Sequence, residues 1–133
     1  MPRVLVIDDQ PHVRATISIA LKANGFDVVA AESGRLGLIE LNKTAFDMPL
    51  FDAVIVDIYM PGMDGVTLIK AMREHAPKLP IIAISGALLR ETGRTVLDIL
   101  AKAPHLSGIT CLQKPFRPKE LVQAIQNAIG VAA

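Results

Sequence analysis

Four short apolar blocks recur along the chain: Val4-Leu5-Val6-Ile7, Val28-Val29-Ala30-Ala31, Ala53-Val54-Ile55-Val56 and Ile81-Ile82-Ala83-Ile84. A weaker fifth block is Ile109-Thr110-Cys111-Leu112. The strong blocks do not alternate apolar with polar residues, which is how central strands of a parallel sheet read. The segments between them carry helical period. Val13, Ile17, Ala20 and Leu21 share one face, and Gly25 closes that helix. Leu36, Ile39 and Lys43 suggest a second helix. Leu68, Ile69, Met72 and Ala76 make a third, stopped by Pro77. Val96, Leu97 and Leu100 make a fourth, stopped by Pro104. Leu121, Ala124, Ile125, Ala128 and Ile129 make the last. Pro11 and Pro118 suit first helical turns, where a missing N–H costs nothing, and Asp64 before Gly65 can cap the third helix. Strands alternating with helices in this way predict an α/β sheet with right-handed crossovers.

Composition narrows the picture. The chain has 133 residues, the size of one domain, and it shows no repeats, low-complexity tracts or linkers. Residues 1–133 are therefore expected to form a single domain, with 44–51 and 85–91 as the least regular stretches. Hydrophobic residues make up 51% and charged residues 20%, which excludes disorder by composition. The mean hydropathy of +0.41 raises the question of a membrane span. The longest stretch free of Asp, Glu, Lys and Arg, Leu121 to Ala133, is interrupted by Gln123, Gln126 and Asn127 and is too short to cross a bilayer. The apolar excess is then the interior of a two-sided sheet. Aromatics at 4% and a net charge of +1 argue against single-stranded nucleic-acid platforms and against strong attraction to DNA or anionic lipid. A single cysteine, Cys111, excludes an internal disulfide and a cysteine-built zinc site. Met1-Pro2-Arg3 runs directly into the first apolar block and then meets Asp8, which does not read as a signal peptide. A cytoplasmic location is expected.

In open parallel sheets, ligands bind beyond the carboxyl ends of the strands, where the strand order reverses. Asp8-Asp9 follow the first block, Asp57 the third, Ser85-Gly86 the fourth and Lys114-Pro115 the fifth. Glu32-Ser33 follow the second, which at a sheet edge would lie away from the crevice. If the first and third strands are neighbours, Asp8, Asp9 and Asp57 converge. Three such carboxylates cannot all stay ionised without compensation, and a hard cation with oxygen ligands, Mg²⁺, is the simplest one. With the Lys114 ammonium and the Ser85 hydroxyl, these groups describe a phosphoryl site, where charge on several oxygens needs distributed positive groups and donors. No general base and no nucleotide loop is visible.

The residues Ile7-Asp8-Asp9, the run Val56-Asp57-Ile58-Tyr59-Met60-Pro61-Gly62-Met63-Asp64-Gly65, Ser85-Gly86 and Lys114-Pro115-Phe116 resemble the receiver domain of bacterial two-component response regulators. Each motif is weak alone; together, in order and at successive strand ends, they are specific and span essentially the whole chain. The resemblance implies a flavodoxin-like (βα)5 fold with strand order 2-1-3-4-5. It implies Asp57 as phosphoacceptor, and Asp9, Asp57 and the Tyr59 backbone carbonyl as Mg²⁺ ligands, with Asp8 holding the metal through water. Lys114 would pair with the phosphoryl group, Ser85 would turn toward it, and Gly86 would leave room for a donor. Tyr59 and Ala87 occupy the places that tune dephosphorylation, and the Lys114–Pro115 bond would be cis. The implied partners are a sensor histidine kinase or histidine phosphotransfer protein and a downstream protein in trans, with no nucleic acid and no membrane, the chain itself being a monomer or weak dimer. No output domain is visible, and the chain is expected not to be an enzyme beyond self-dephosphorylation.

Departures and plainer readings stand beside this. The family usually has an aromatic where this chain has Cys111, the interval from Ser85 to Lys114 is long, and Ser107-Gly108 replace the usual Gly-Ala pair. A phosphorylation-independent receiver-fold scaffold is therefore an alternative. An aspartyl-phosphate phosphohydrolase is another, although such enzymes usually carry an Asp where this chain has Tyr59. Taken singly, Asp8-Asp9 reads as a solvated turn with a helix cap, and Ser85-Gly86 and Lys114-Pro115 read as surface turns. Cys111 reads as a small buried apolar residue. His12, His75 and His105 read as solvated, and Arg90, Arg94 and Lys102 as the wet face of the fourth helix. Arg117 and Lys119 are candidates for a docking surface.

Overall fold

The computed structural model describes residues 2–43, 51–58, 65–85, 88–89, 94–95 and 109–130. Five strands form one sheet: β1 (Arg3–Ile7), β2 (Asp27–Ala31), β3 (Ala53–Asp57), β4 (Ile81–Ser85) and β5 (Ile109–Gln113). The helices are α1 (Pro11–Ala23), α2 (Gly34–Asn42), α3 (Gly65–His75) and α4 (Pro118–Ile129). Every neighbouring pair in the sheet is parallel, and the spatial order is β2-β1-β3-β4-β5. This is the flavodoxin-like order. The fourth helical pattern (Val96, Leu97, Leu100), the proposed cap Asp64, and His105, Arg90 and Lys102 lie outside the described residues. Arg94 falls not on a helix but in extended backbone, where Arg94–Thr95 pair antiparallel with Leu88–Leu89.

Side chains alternate along each strand, so the apolar blocks feed two layers at once. Leu5, Ile7, Val54, Val56, Ile81 and Ala83 face one layer, where they pack with Leu41 of α2 and Leu68, Ile69 and Met72 of α3. Val4, Val6, Ala53, Ile55, Ile82 and Ile84 face the other, against Ile17 and Leu21 of α1 and Leu121, Val122 and Ile125 of α4. All twelve of those strand residues are fully buried. At about 25 cal/mol per Å² of apolar surface removed from water, these two layers supply the main driving force for folding.

The helix ends follow local chemistry. Pro11 and Pro118 occupy first turns. Ser33 caps α2 by accepting a hydrogen bond from the Leu36 N–H at 3.2 Å, and the Glu120 carboxylate accepts from the Arg117 N–H at the start of α4. Gly25 and Gly130 take the left-handed conformation after α1 and at the end of α4, a region that glycine enters without steric penalty.

The buried face of α2 is not the one its leucine and isoleucine predict. Leu36 is 40% exposed and Ile39 45% exposed, while Gly34, Gly37 and Leu41 are buried. Lys43 ends the helix and pairs with Glu40 at 3.0 Å. The cause is close approach. A Cβ at Gly37 would collide with Ile7 Cδ1 and lie 2.8 Å from Ile7 Cγ1. The helix packs through its glycines and Leu41, while Leu36 and Ile39 turn outward.

Gly37→Ala tests that packing, because two effects oppose each other. Helix propensity alone favours alanine by about 1 kcal/mol, whereas overpacking costs about 1–3 kcal/mol. Net destabilisation is expected in a urea melt, with unchanged m; a stabilised variant would show that α2 can lift off Ile7 freely.

Candidate functional site

Strand register determines which polar residues meet. Val4 to Ile7 of β1 pair with Ala53 to Val56 of β3. The next residue on each, Asp8 and Asp57, therefore emerges side by side at the carboxyl edge of the sheet. Asp8 is fully buried, Asp57 is 4% exposed, and Asp9 is half-buried. One carboxylate oxygen from each of Asp8, Asp9 and Asp57 lies within 4.8 Å of the others. Lys114, one residue beyond β5, extends past the end of the intervening strand β4. Its Nζ donates to Asp57 Oδ2 at 3.1 Å and lies 3.7 Å from Asp8 Oδ2.

Asp8 is held from several directions. Its N–H donates to the Ala31 carbonyl at 3.2 Å, and its Oδ1 accepts from the Gln10 N–H at 2.9 Å. Its own backbone carbonyl accepts from Arg14 Nη1 at 2.7 Å. Its Oδ2, by contrast, is buried and has no hydrogen-bond donor. Burial raises the Asp8 pKa above the usual carboxylate range, and the neighbouring Asp57 adds to the rise; the Gln10 hydrogen bond and the Lys114 charge oppose it.

The donor set is all oxygen, carries more negative charge than one ammonium offsets, and leaves a buried carboxylate oxygen without a donor. A small hard divalent cation fits these residues, and Asp8, Asp9 and Asp57 could hold Mg²⁺.

Other predicted residues fall as follows. Ser85 is the last residue of β4, and its backbone pairs with Gln113, the neighbour of Lys114. The Ser85 side chain, Gly86, Ala87 and Tyr59 lie outside the described residues. The Lys114–Pro115 bond is cis. Cys111 is exposed rather than buried. It sits on β5, an edge strand that among the described residues has a sheet neighbour on one side only. Partial desolvation raises its thiol pKa, opposite to what a thiolate-based sensor needs. His12, His75, Arg117 and Lys119 are exposed.

Two contributors escaped sequence reasoning, Gln10 and Arg14. Gln10 acts through its backbone, so its residue type carries no signal. Arg14 stands one helical turn beyond Gln10, and that spacing after a double acid was the available signal.

The chain matches the family described as response regulator receiver domain over residues 4–126. It is 37% identical over 123 residues to a probable transcriptional regulatory protein of Picosynechococcus sp., a match covering 90% of this chain and 46% of that protein. It is 32% identical over 127 residues to the regulatory protein AtoC of Escherichia coli, covering 96% of this chain and 25% of AtoC. The chain thus spans less than half the length of these two relatives. Among solved structures, the chemotaxis protein CheY4 of Vibrio cholerae superposes with a TM-score of 0.80 at 28% identity, covering 96% of this chain and 98% of CheY4. A sequence match over nearly all of the described fold and a shared architecture agree: the chain belongs to the response regulator receiver domain family of two-component systems.

Proposed function

We propose that the chain is a phosphoacceptor whose Asp57 takes a phosphoryl group from a phosphohistidine of a sensor histidine kinase or histidine phosphotransfer protein, in a Mg²⁺-dependent step. The observation that carries this reading is the Asp57 carboxylate, nearly buried, 3.1 Å from the Lys114 ammonium and grouped with two further aspartates. An Asp57 oxygen forms the new bond to phosphorus as the phosphorus–nitrogen bond breaks, and the electron pair of that bond returns to the imidazole. Such transfer demands positioning and charge neutralisation more than a strong nucleophile. Lys114 neutralises charge growing on the phosphoryl oxygens, Ser85 supplies a hydroxyl to them, and Gly86 leaves room for the donor. Asp9, Asp57 and the Tyr59 carbonyl would hold Mg²⁺, with Asp8 acting through water. The cation, when bound, neutralises the carboxylates and binds phosphoryl oxygens.

The product replaces a carboxylate by a more highly charged acyl phosphate, which can bias a two-state element and so alter partner binding. With Cys111 in place of an aromatic, that bias runs through Ser85 and Lys114. Turnover in this reading is limited to slow self-dephosphorylation, tuned by the side chains at Tyr59 and Ala87. The downstream partner is a protein, and a cytoplasmic setting suits the relay. Among the described residues no helix is long and apolar enough to cross a membrane.

Incubation with a small phosphodonor and Mg²⁺ should add one phosphoryl group by intact mass, stable in acid and lost in base. Asp57→Asn should not gain it. Equal gain in the variant would refute Asp57 as acceptor, and steady turnover of phosphate esters would favour the phosphohydrolase. Lys114→Ala should slow phosphoryl uptake by about 10²-fold, read as the rate of the mass change.

Because the folded-state pKa of Asp8 is raised, its contribution to stability is fully present below the ordinary carboxylate pKa and is lost as pH rises through the raised value. At neutral pH the ionised Asp8 carboxylate therefore opposes folding until a cation binds. Mg²⁺ at a hundredfold excess over its Kd should add about 2.7 kcal/mol to stability at neutral pH, and less in mild acid. Asp8→Asn should melt higher than wild type in chelator and gain less from Mg²⁺. Thermal melts at two pH values, with chelator or Mg²⁺, check both signs.

A further inference from the structure

Arg14 has no place in the phosphoryl chemistry proposed above, yet it makes one of the shortest contacts at the site. Its Nη1 donates to the backbone carbonyl of Asp8 at 2.7 Å. That carbonyl belongs to the peptide unit joining Asp8 to Asp9, so the hydrogen bond sets the plane from which the Asp9 side chain departs. The strand cannot set this plane, because the β1 pairing with β3 ends at Ile7. The N–H of Asp8 is held by the Ala31 carbonyl, and its Oδ1 by the Gln10 N–H. The peptide after Asp8 is thus tied to the sheet at one end and to α1 at the other. Arg14 itself is anchored, since its N–H donates to the Gln10 carbonyl at 3.0 Å. The side chain is half-buried and lines a cleft with Glu32 and Glu40. Their carboxylates favour a cation there.

We propose that Arg14 is a positioning residue that holds the Asp8–Asp9 peptide in the orientation that aims both carboxylates at the divalent cation. It is not a ligand, and it touches neither carboxylate. Its effect is on the entropy and geometry of the ligand pair. Without it, the Asp8 carbonyl loses its donor, and the peptide plane can rotate away from the binding orientation. Losing an outer hydrogen-bond partner of a metal ligand typically weakens metal binding by about 10- to 100-fold. A lysine can restore one donor at this place, though not the planar fork of the guanidinium. Methionine keeps apolar length without a donor.

The inference rests on the phosphoacceptor reading, and Mg²⁺ calorimetry on the whole chain separates the two. Wild type is expected to bind Mg²⁺, Arg14→Met to bind it at least 10-fold more weakly, and Arg14→Lys to recover part of the loss. Melting of the same variants in chelator shows that each is folded at the titration temperature. If wild type binds Mg²⁺ and folded Arg14→Met binds it equally well, the positioning role is overturned while the phosphoacceptor reading survives. An equal loss in Arg14→Met and Arg14→Lys would also overturn it, because the donor would not be the cause. If wild type binds no Mg²⁺, both readings fall together.

Discussion

The repulsion between Asp8 and Asp57 is the constraint around which this molecule is organised. Two carboxylates share the buried edge of one sheet, with a third from Asp9 close by. In a low-dielectric setting like charges at this range are costly. One ammonium, from Lys114, contacts both, yet one Asp8 oxygen keeps no donor. The protein therefore carries a local instability at its site. A bound cation would relieve that frustration, which is what the proposed Mg²⁺ site draws on.

The rest of the fold is built to keep that tension in place. Strand positions alternate between two apolar layers, so each of the central strands is clamped from both sides. A one-residue slip of β1 against β3 would send Val4 and Val6 into the layer that now holds Leu5 and Ile7. It would also part Asp8 from Asp57. Core packing and site geometry are thus the same property seen from two ends of the strands. The contact of Gly37 with Ile7 belongs to this clamp, since it draws α2 down onto the last residue before Asp8.

What the sequence disclosed follows from which signals are local. Val4–Ile7, Ala53–Val56 and Ile81–Ile84 read as buried strands because burial on both faces leaves a continuous apolar block. The acids after them could be placed at one crevice because parallel strands end on one side. The face of α2 was not legible, because a glycine that packs has no side chain to mark it as apolar, while Leu36 and Ile39 advertise a burial they do not have. Cys111 was misjudged because an edge strand buries less than its apolar block implies. Arg14 was missed because its role is a backbone contact, which its spacing after the double acid marks only faintly and the three-dimensional path of the Asp8 peptide makes plain.

The parallel topology also has a consequence for biosynthesis. Of the site residues, Asp8 and Asp9 leave the ribosome first, Asp57 after them and Lys114 last. No contiguous segment contains the site, since β1, β3 and β5 contribute to it and β4 separates the last two. Contacts between residues so distant in sequence form late. Until β5 is made, a nascent chain thus holds its acids without the ammonium that balances them. The charge balance of the site is completed only when β5 docks beside β4, so a half-made chain lacks the arrangement of the folded one.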